Sequence, residues 1–269
     1  MQTLQYRGNL VNNSYLKYNK IERADSTKIM DQNQLGEKHL ELISTQTTLK
    51  ERLEENPRLA HGYYVIAESQ LQGRGRGDHV WSSVSGNLHA SILLRRFPFP
   101  LLTWVPLWIA VALHRTLVEF QVNETVIQLK WPNDLWIHGQ KKVAGILCEK
   151  KGAEIFAGIG LNLIHAPVPE SGVVPFPVVP SPEKVIQKLL EHLSWIRSVS
   201  EIRDYYEKHS LFMSGSQVAW SEGEKQLQGT FVGLGEYGEM KVQIGDRVVP
   251  LFSEDVSAVT SPVATGQST

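Results

Sequence analysis

The run LLTWVPLWIAVAL, Leu101 to Leu113, limits what this chain can become more than any other stretch. It is apolar on every side of a helix, so it has to be enclosed. Its thirteen residues are too few to span a bilayer, and His114-Arg115 closes it. It is therefore expected to be a buried helix, its tryptophans packing a globular core. A chain of 269 residues allows one large domain, or one of moderate size with a small partner. The polar amino terminus lacks the apolar stretch of a signal peptide. The expectation is a soluble, cytoplasmic protein with no membrane partner.

Charge and cysteine usage remove further classes. A formal net charge of −1 supplies no global field for nucleic acid, so any basic site has to be local. Cys148 is the single cysteine, which leaves no disulfide framework and no cysteine-rich metal site. The nine histidines show no ligand spacing.

The elements alternate in type. Lys38 to Gln46 reads as a strand ending at Ser44-Thr45, followed by a short helix stopped before Pro57. Gly62 to Ser69 reads as a central strand, Asn87 to Arg96 as another, and Pro106 to Phe120 as the apolar helix. Thr125 to Trp131 is a strand running into the turn Pro132-Asn133-Asp134. A hairpin turning at His138-Gly139-Gln140 and a strand through Glu154 to Ile164 follow. The proline-rich segment His165 to Pro182 cannot continue a sheet. Ser181, with Pro182 behind it, starts a helix, and a second runs through Tyr206. From about Met213 short strands are separated by turn residues, which predicts a small antiparallel barrel or sheet. The expected division is a polar extension over 1–37, a main domain over 38–210, a small β domain over 211–262, and a disordered tail over 263–269.

Two constellations carry chemistry. GRGRGDHVW, Gly73 to Trp81, alternates three glycines with two arginines directly after a strand. No helix starts there, so it is not a dinucleotide fingerprint, and no Walker motif is present. Its glycines allow close approach to a ligand, its amides can cradle anionic oxygen, and Arg74 and Arg76 add charge. KWPND, Lys130 to Asp134, sits at a strand end, with Lys142 across the hairpin in KKVAGILCE. Pro132 should hold this turn open, presenting the charged side chains rather than burying them. A mere capped turn would explain Pro-Asn-Asp, but not the two lysines and the tryptophan around it.

GRGRGDHVW, KWPND with KKVAGILCE, and AGIGLNL, in that order and spacing, resemble the catalytic domain of biotin protein ligases, also called biotin–[acetyl-CoA-carboxylase] ligases. The match runs from about Lys38 onward. The resemblance implies an α/β (α+β) catalytic domain with a mixed sheet flanked by helices, followed by a small SH3-like β-barrel. It also implies that ATP, with Mg²⁺, activates biotin to biotinyl-5′-AMP. The biotinyl group then passes to a lysine of the biotin carboxyl carrier protein of a carboxylase.

Roles follow position by position. Ser44 and Thr45 match the family's Ser-Thr-Asn element, which hydrogen-bonds biotin; here Gln46 replaces the asparagine and Ile43 the usual aspartate before it. Asp25-Ser26-Thr27 looks closer letter for letter, but no strand leads into it. Gln70 matches the glutamine near the biotin rings. Gly73, Arg74 and Arg76 match the loop that closes over biotin and the adenylate. Lys142 matches the lysine on the carboxylate and phosphate, Gly158 and Gly160 the backbone near biotin, and Asn162, with Asn133, the adenylate side. Trp81 resembles an aromatic that stacks near adenine. Lys130 joins Arg76 and Lys142 as a cation of the reaction. Asp134 is the candidate to orient or deprotonate the acceptor amine, or to help bind Mg²⁺. Where the family often has further basic residues after the second arginine, this chain has Gly77, Asp78 and His79.

Three rivals are weaker. The arginine- and glycine-rich signature of lipoate ligases is missing. Fewer than about 40 residues precede the match, too few for the DNA-binding domain of a repressor. A catalytically dead relative would have no need of Lys142, Arg76 and Asp134. Family members often form homodimers through an edge strand, so a homodimer is an expectation of the resemblance alone.

Overall fold

A computed structural model describes residues 35–95, 97–99 and 101–259. The segment Asp25-Ser26-Thr27, nearly all of the 1–37 extension and the tail over 263–269 lie outside these residues. Twelve strands and four helices are present among those described. The main sheet comprises β1 (Gly36–Leu42), β2 (Tyr64–Gln70), β3 (Leu88–Leu94), β4 (Ile127–Lys130), β5 (Asp134–Ile137), β6 (Lys141–Lys151) and β7 (Glu154–Leu161). Its order is β1-β2-β3-β7-β6-β5-β4, parallel only between β1 and β2, so the sheet is mixed.

The apolar run forms α2 (Trp104–Glu119), with Pro106 in its first turn, where a proline costs no helix hydrogen bond. Twelve of its sixteen residues are buried, Trp104 and Trp108 among them. They pack with Ile66, Ala90, Ile92 and Leu94, the residues that strand alternation sends to one face of the sheet. Further along the chain, α3 (Pro182–Trp195) starts at Ser181, whose hydroxyl accepts from the Lys184 N–H, and α4 (Val199–Lys208) starts likewise at Ser198.

The opposite face is covered only in part. There α1 (Thr45–Glu55) seals a small cluster of Leu49, Val65, Leu93 and Phe156. Helix α1 begins earlier than the sequence suggests: Thr45 and Gln46 form its first turn instead of ending β1. Alternation and β-branched threonines favour a strand here. The first helical N–H, that of Thr45, finds a fixed acceptor instead, Gln70 Oε1 at 2.8 Å.

Beyond α1 this face is floored mostly by small and polar residues in two rows, with Leu147 the one large apolar member. Ser91, Gly158 and Leu147 stand opposite one another across β3, β7 and β6; His89, Gly160, Gly145 and Asp134 do so from β3 to β5. Side chains of those rows leave a depression where a core layer would otherwise pack.

The carboxy-terminal strands β8 (Gln217–Glu222), β9 (Lys225–Leu234), β10 (Met240–Ile244), β11 (Arg247–Leu251) and β12 (Ser257–Ala258) make an antiparallel sheet in the order β11-β10-β9-β8-β12. Its Val218, Phe231, Met240 and Val242 join the main core. Trp104 Nε1 donates to the Glu236 carbonyl and Trp131 Nε1 to that of Gly238, each at 3.0 Å, which fastens the small sheet to α2 and the KWPND turn. No helix of the described residues is long and apolar enough to cross a membrane.

Candidate active site

The uncovered rows form the floor of a cavity of about 650 Å³. Ser44, Thr45, Gln46, Gln70, Arg74, Arg76, Trp81, Lys130, Asn133, Asp134, Lys142, Gly158 and Gly160 all line it. Two expected residues do not. Gly73 packs beneath the Trp81 carbonyl at the base of the Gly/Arg segment. Asn162 is 1% exposed and spends its amide on the Gly172 carbonyl, 3.0 Å away, so it anchors the proline-rich segment instead of lining the cavity.

The Gly/Arg segment is a tight hairpin. Trp81 N–H donates to the Gly73 carbonyl at 2.9 Å, Gly75 N–H to that of His79 at 2.7 Å, and Arg74 pairs with Val80. Gly77 turns its tip with a φ of 56°, which an L-residue rarely adopts. The hairpin is tied across the cavity by Arg76, whose Nη1 donates to Asn133 Oδ1 at 3.1 Å and whose Nη2 donates to the Ser253 carbonyl. Asn133 is itself held by the Ile146 carbonyl at 2.7 Å.

At its polar end, the cavity is walled by a chain of side-chain hydrogen bonds. Ser83 accepts from Gln70 Nε2, and Gln70 Oε1 accepts from the Thr45 N–H and hydroxyl. The Thr45 and Ser91 hydroxyls meet at 2.8 Å, and Ser91 reaches Gln46 Oε1 at 3.4 Å. Gln46 Nε2 in turn donates to Glu149 Oε2 at 2.8 Å. A side chain at Gly158 could not fit, because its Cβ would stand 2.5 Å from Gln46 Oε1. The chain leaves neutral acceptors and donors facing a ligand; Ser91 belongs to it although it stands in no motif, and so does Glu149, the last residue of KKVAGILCE, to which the sequence reading gives no role.

Trp81 lies over Gly160, where any Cβ would collide with its indole, and over Gly145. Its Nε1 donates to His89 Nδ1 at 3.3 Å, while His89 Nε2 meets the Val84 carbonyl at 3.2 Å. Burial pulls the His89 imidazole below its usual range, partly opposed by the Val84 carbonyl, which suits a neutral ring accepting from Trp81. The indole thus lies on the same floor as the glycines, beside Lys142, whose ammonium stands 5.7 Å from its ring centroid.

Cations crowd the other end. Lys142 Nζ stands 2.8 Å from Asp134 Oδ1. Lys130 is not presented to solvent as the turn suggested: it is 8% exposed, its ammonium 4.5 Å from the Trp136 ring centroid and 3.3 Å from Asp255 Oδ1. The reason is tertiary, because residues 253–255 of the small sheet's connection close over the turn. The proline-rich segment pairs with the main sheet at a single bridge, Lys142 with Ser171, which brings Glu170 to the cavity rim.

Among the described residues no three His, Cys, Asp or Glu side chains gather as a metal cage. Asp134 nevertheless offers a carboxylate, its buried Oδ1 facing the Lys142 ammonium at 2.8 Å. One such carboxylate fits Mg²⁺, which commonly takes one or two protein carboxylates and fills its shell with phosphate oxygens and water.

Residues 40–163 match the model of the Biotin/lipoate A/B protein ligase family. The chain is 35% identical over 159 residues to the bifunctional ligase/repressor BirA of Bacillus subtilis, covering 56% of this chain and 47% of that protein. It is 35% identical over 135 residues to the biotin–[acetyl-CoA-carboxylase] ligase of Paracoccus denitrificans, covering 47% and 55%. The chain therefore spans about half the length of these two relatives. A longer match, 26% identical over 215 residues, joins it to the ligase of that name from Mycobacterium tuberculosis, covering 72% and 78%. Among solved structures, the biotin protein ligase of Aquifex aeolicus in complex with biotin and ATP superposes with a TM-score of 0.70 at 27% identity. It covers 84% of this chain and 100% of that one. The resemblance drawn from the motifs is thus shown in sequence and in fold.

Proposed function

We propose that this chain, which resembles biotin protein ligases in sequence and fold, is itself one: it condenses biotin with ATP to biotinyl-5′-AMP and transfers the biotinyl group to a lysine of a carboxylase's carrier domain. The observation that carries this reading is the cavity itself. A neutral hydrogen-bonding wall at one end suits a cyclic urea, and Arg74, Arg76, Lys130 and Lys142 beside it suit a carboxylate meeting a triphosphate. The same reading takes 38–210 as the catalytic domain and 211–262 as an SH3-like barrel.

The first step brings like charges together. At an effective dielectric near 20, two unit charges ~4 Å apart repel by about 4 kcal/mol, roughly a thousandfold in rate. Lys142 and Arg76 offset that charge where carboxylate and α-phosphate meet, and their fixed neighbours Asp134 and Asn133 hold them ready. Lys130 stands with the phosphates on this reading. Asp134 is the side chain that would hold Mg²⁺, and the ion would supply further charge neutralisation on the triphosphate. The adenylate is a mixed anhydride that water destroys, and the hairpin of Gly73 to Trp81 covers it. In the second step the acceptor amine attacks the acyl carbon, AMP leaves, and Asp134, the carboxylate of the KWPND turn, is the candidate to orient the amine or take its proton.

The test is transfer of labelled biotin to a bacterial biotin carboxyl carrier domain, with ATP and Mg²⁺. Lipoate and a lipoyl domain serve in parallel. Biotin transfer without lipoate transfer is the expected result; transfer of lipoate alone would overturn the reading.

A further inference from the structure

We infer that Glu149 is a positioning residue for the reaction proposed above, on which this inference rests: one carboxylate oxygen sets the amide of Gln46 and tethers Arg74. Glu149 stands on β6 opposite Phe156, at the edge of the part of the sheet that α1 covers. Its Oε2 takes three donors from two separate segments: Gln46 Nε2 at 2.8 Å, Lys50 Nζ at 2.5 Å and Arg74 Nη2 at 3.4 Å. Gln46 and Lys50 lie four residues apart on α1, hence on one face, whereas Arg74 comes from the hairpin.

The consequence for Gln46 is directional. A primary amide can present its oxygen or its nitrogen to a ligand. With Nε2 committed to a charged acceptor, Oε1 is what remains beside Ser91 and over Gly158, at the cavity wall. A cyclic urea offers N–H donors, so a fixed acceptor there selects for it. Gln46 is 4% exposed, and a wrongly turned amide would face the ligand's N–H with its own. Burial alone would push the Glu149 carboxyl up, but Lys50, Gln46 and Arg74 outweigh it and hold the carboxyl below its usual range, so the acceptor stays charged. The Arg74 contact is the longest of the three and the hairpin's link to this wall.

The experiment uses the full chain with Glu149→Ala and Glu149→Gln. Biotin-dependent pyrophosphate release gives kcat and the KM for biotin and ATP, and trypsin reports exposure of the Arg74–Gly75 bond. For Glu149→Ala the biotin KM rises about tenfold or more, the loss of a charged hydrogen bond, while kcat and the ATP KM stay within about threefold. Glu149→Gln still accepts from Gln46, so its biotin KM stays within about threefold of wild type; lacking charge, it frees Arg74, and cleavage there accelerates as in the alanine variant. A biotin KM unchanged in Glu149→Ala, or kcat and both KM values worsening together, overturns the inference. If the wild type releases no pyrophosphate with biotin, the proposed function falls. The tether is then decided by cleavage alone: unchanged rates in both variants overturn it.

Discussion

Lys142 Nζ lies 2.8 Å from Asp134 Oδ1, an ion pair that joins β5 to β6 where the register between the two strands shifts. Asp134 is thereby the fixed partner of the cation that the proposed adenylation depends on. Lys142→Ala is expected to slow biotinyl-AMP formation by about a thousandfold, the value of one uncompensated charge contact. Asp134→Asn, which leaves the lysine without its fixed partner, should cost about tenfold in the same step. Single-turnover formation of labelled biotinyl-AMP measures both.

Gly160 has no room for a methyl group because the Trp81 indole lies on it. Gly160→Ala should displace the indole, destabilise the fold by about 1–3 kcal/mol and weaken biotin binding at least about tenfold. Tryptophan fluorescence during a biotin titration reads both the ring's environment and the affinity. Unchanged affinity would place biotin away from this floor.

The Lys130–Asp255 pair has one buried and one exposed member, their side chains 11% and 84% accessible. Such a pair adds at most about 1 kcal/mol to stability. Asp255 does, however, occupy the ammonium that the triphosphate needs on the proposed reading. Asp255→Asn should leave thermal stability nearly unchanged and lower the ATP KM about two- to fivefold. Steady-state kinetics decides it; a raised KM would mean that Asp255 assists ATP.

Asp78 lies exposed at the hairpin tip, where the family resemblance leads one to expect a base. Asp78→Arg should slow release of biotinyl-AMP several-fold by adding a charge of the right sign. A pulse-chase measurement of adenylate retention is the check, and an unchanged release rate would count against the hairpin as a cover.

His114 sets a pH dependence. Burial lowers its pKa to about 4, opposed by its bond to the Ile127 carbonyl, with the His209 ring 4.8 Å away. Above pH 6.5 both folded and unfolded states are neutral here, and stability does not change. As pH falls from about 6.5 to about 4, the unfolded chain binds a proton that the folded protein refuses, so stability is lost, on the order of 3 kcal/mol. His89, His192 and His209 are shifted in the same direction by burial. Urea unfolding at pH 7.5 and pH 5 should therefore differ clearly, before the carboxylates titrate.

What the chain revealed before folding depended on how local the signal was. Arg76, Asn133, Asp134 and Lys142 are legible because strand ends and a hairpin carry them to one place; Lys130 is legible as a member of that turn, but its enclosure by Asp255 is not. The buried helix was legible from its apolar run. Thr45 and Gln46 read as the end of a strand yet open α1, since the acceptor that starts their helix, Gln70 Oε1, sits on β2 and no local pattern announces it. Ser91 reaches the cavity, and His89 its Trp81 contact, only through the register of β3 and β7; Glu149 ends KKVAGILCE, but its contacts with Gln46 and Arg74 are made only by the fold. Ser253 and Asp255 arrive only through the packing of the second sheet. Asn162, expected on the adenylate side, does not line the cavity and holds the Gly172 carbonyl, because a glycine-rich strand end looks the same whether its last side chain faces a cavity or anchors a loop.

The most direct test of the central claim is pyrophosphate release by the purified full chain with ATP and Mg²⁺, with and without biotin, wild type beside Lys142→Ala. The expected result is a biotin-dependent burst from the wild type and almost none from the variant. Equal release by both, or release indifferent to biotin, would contradict it.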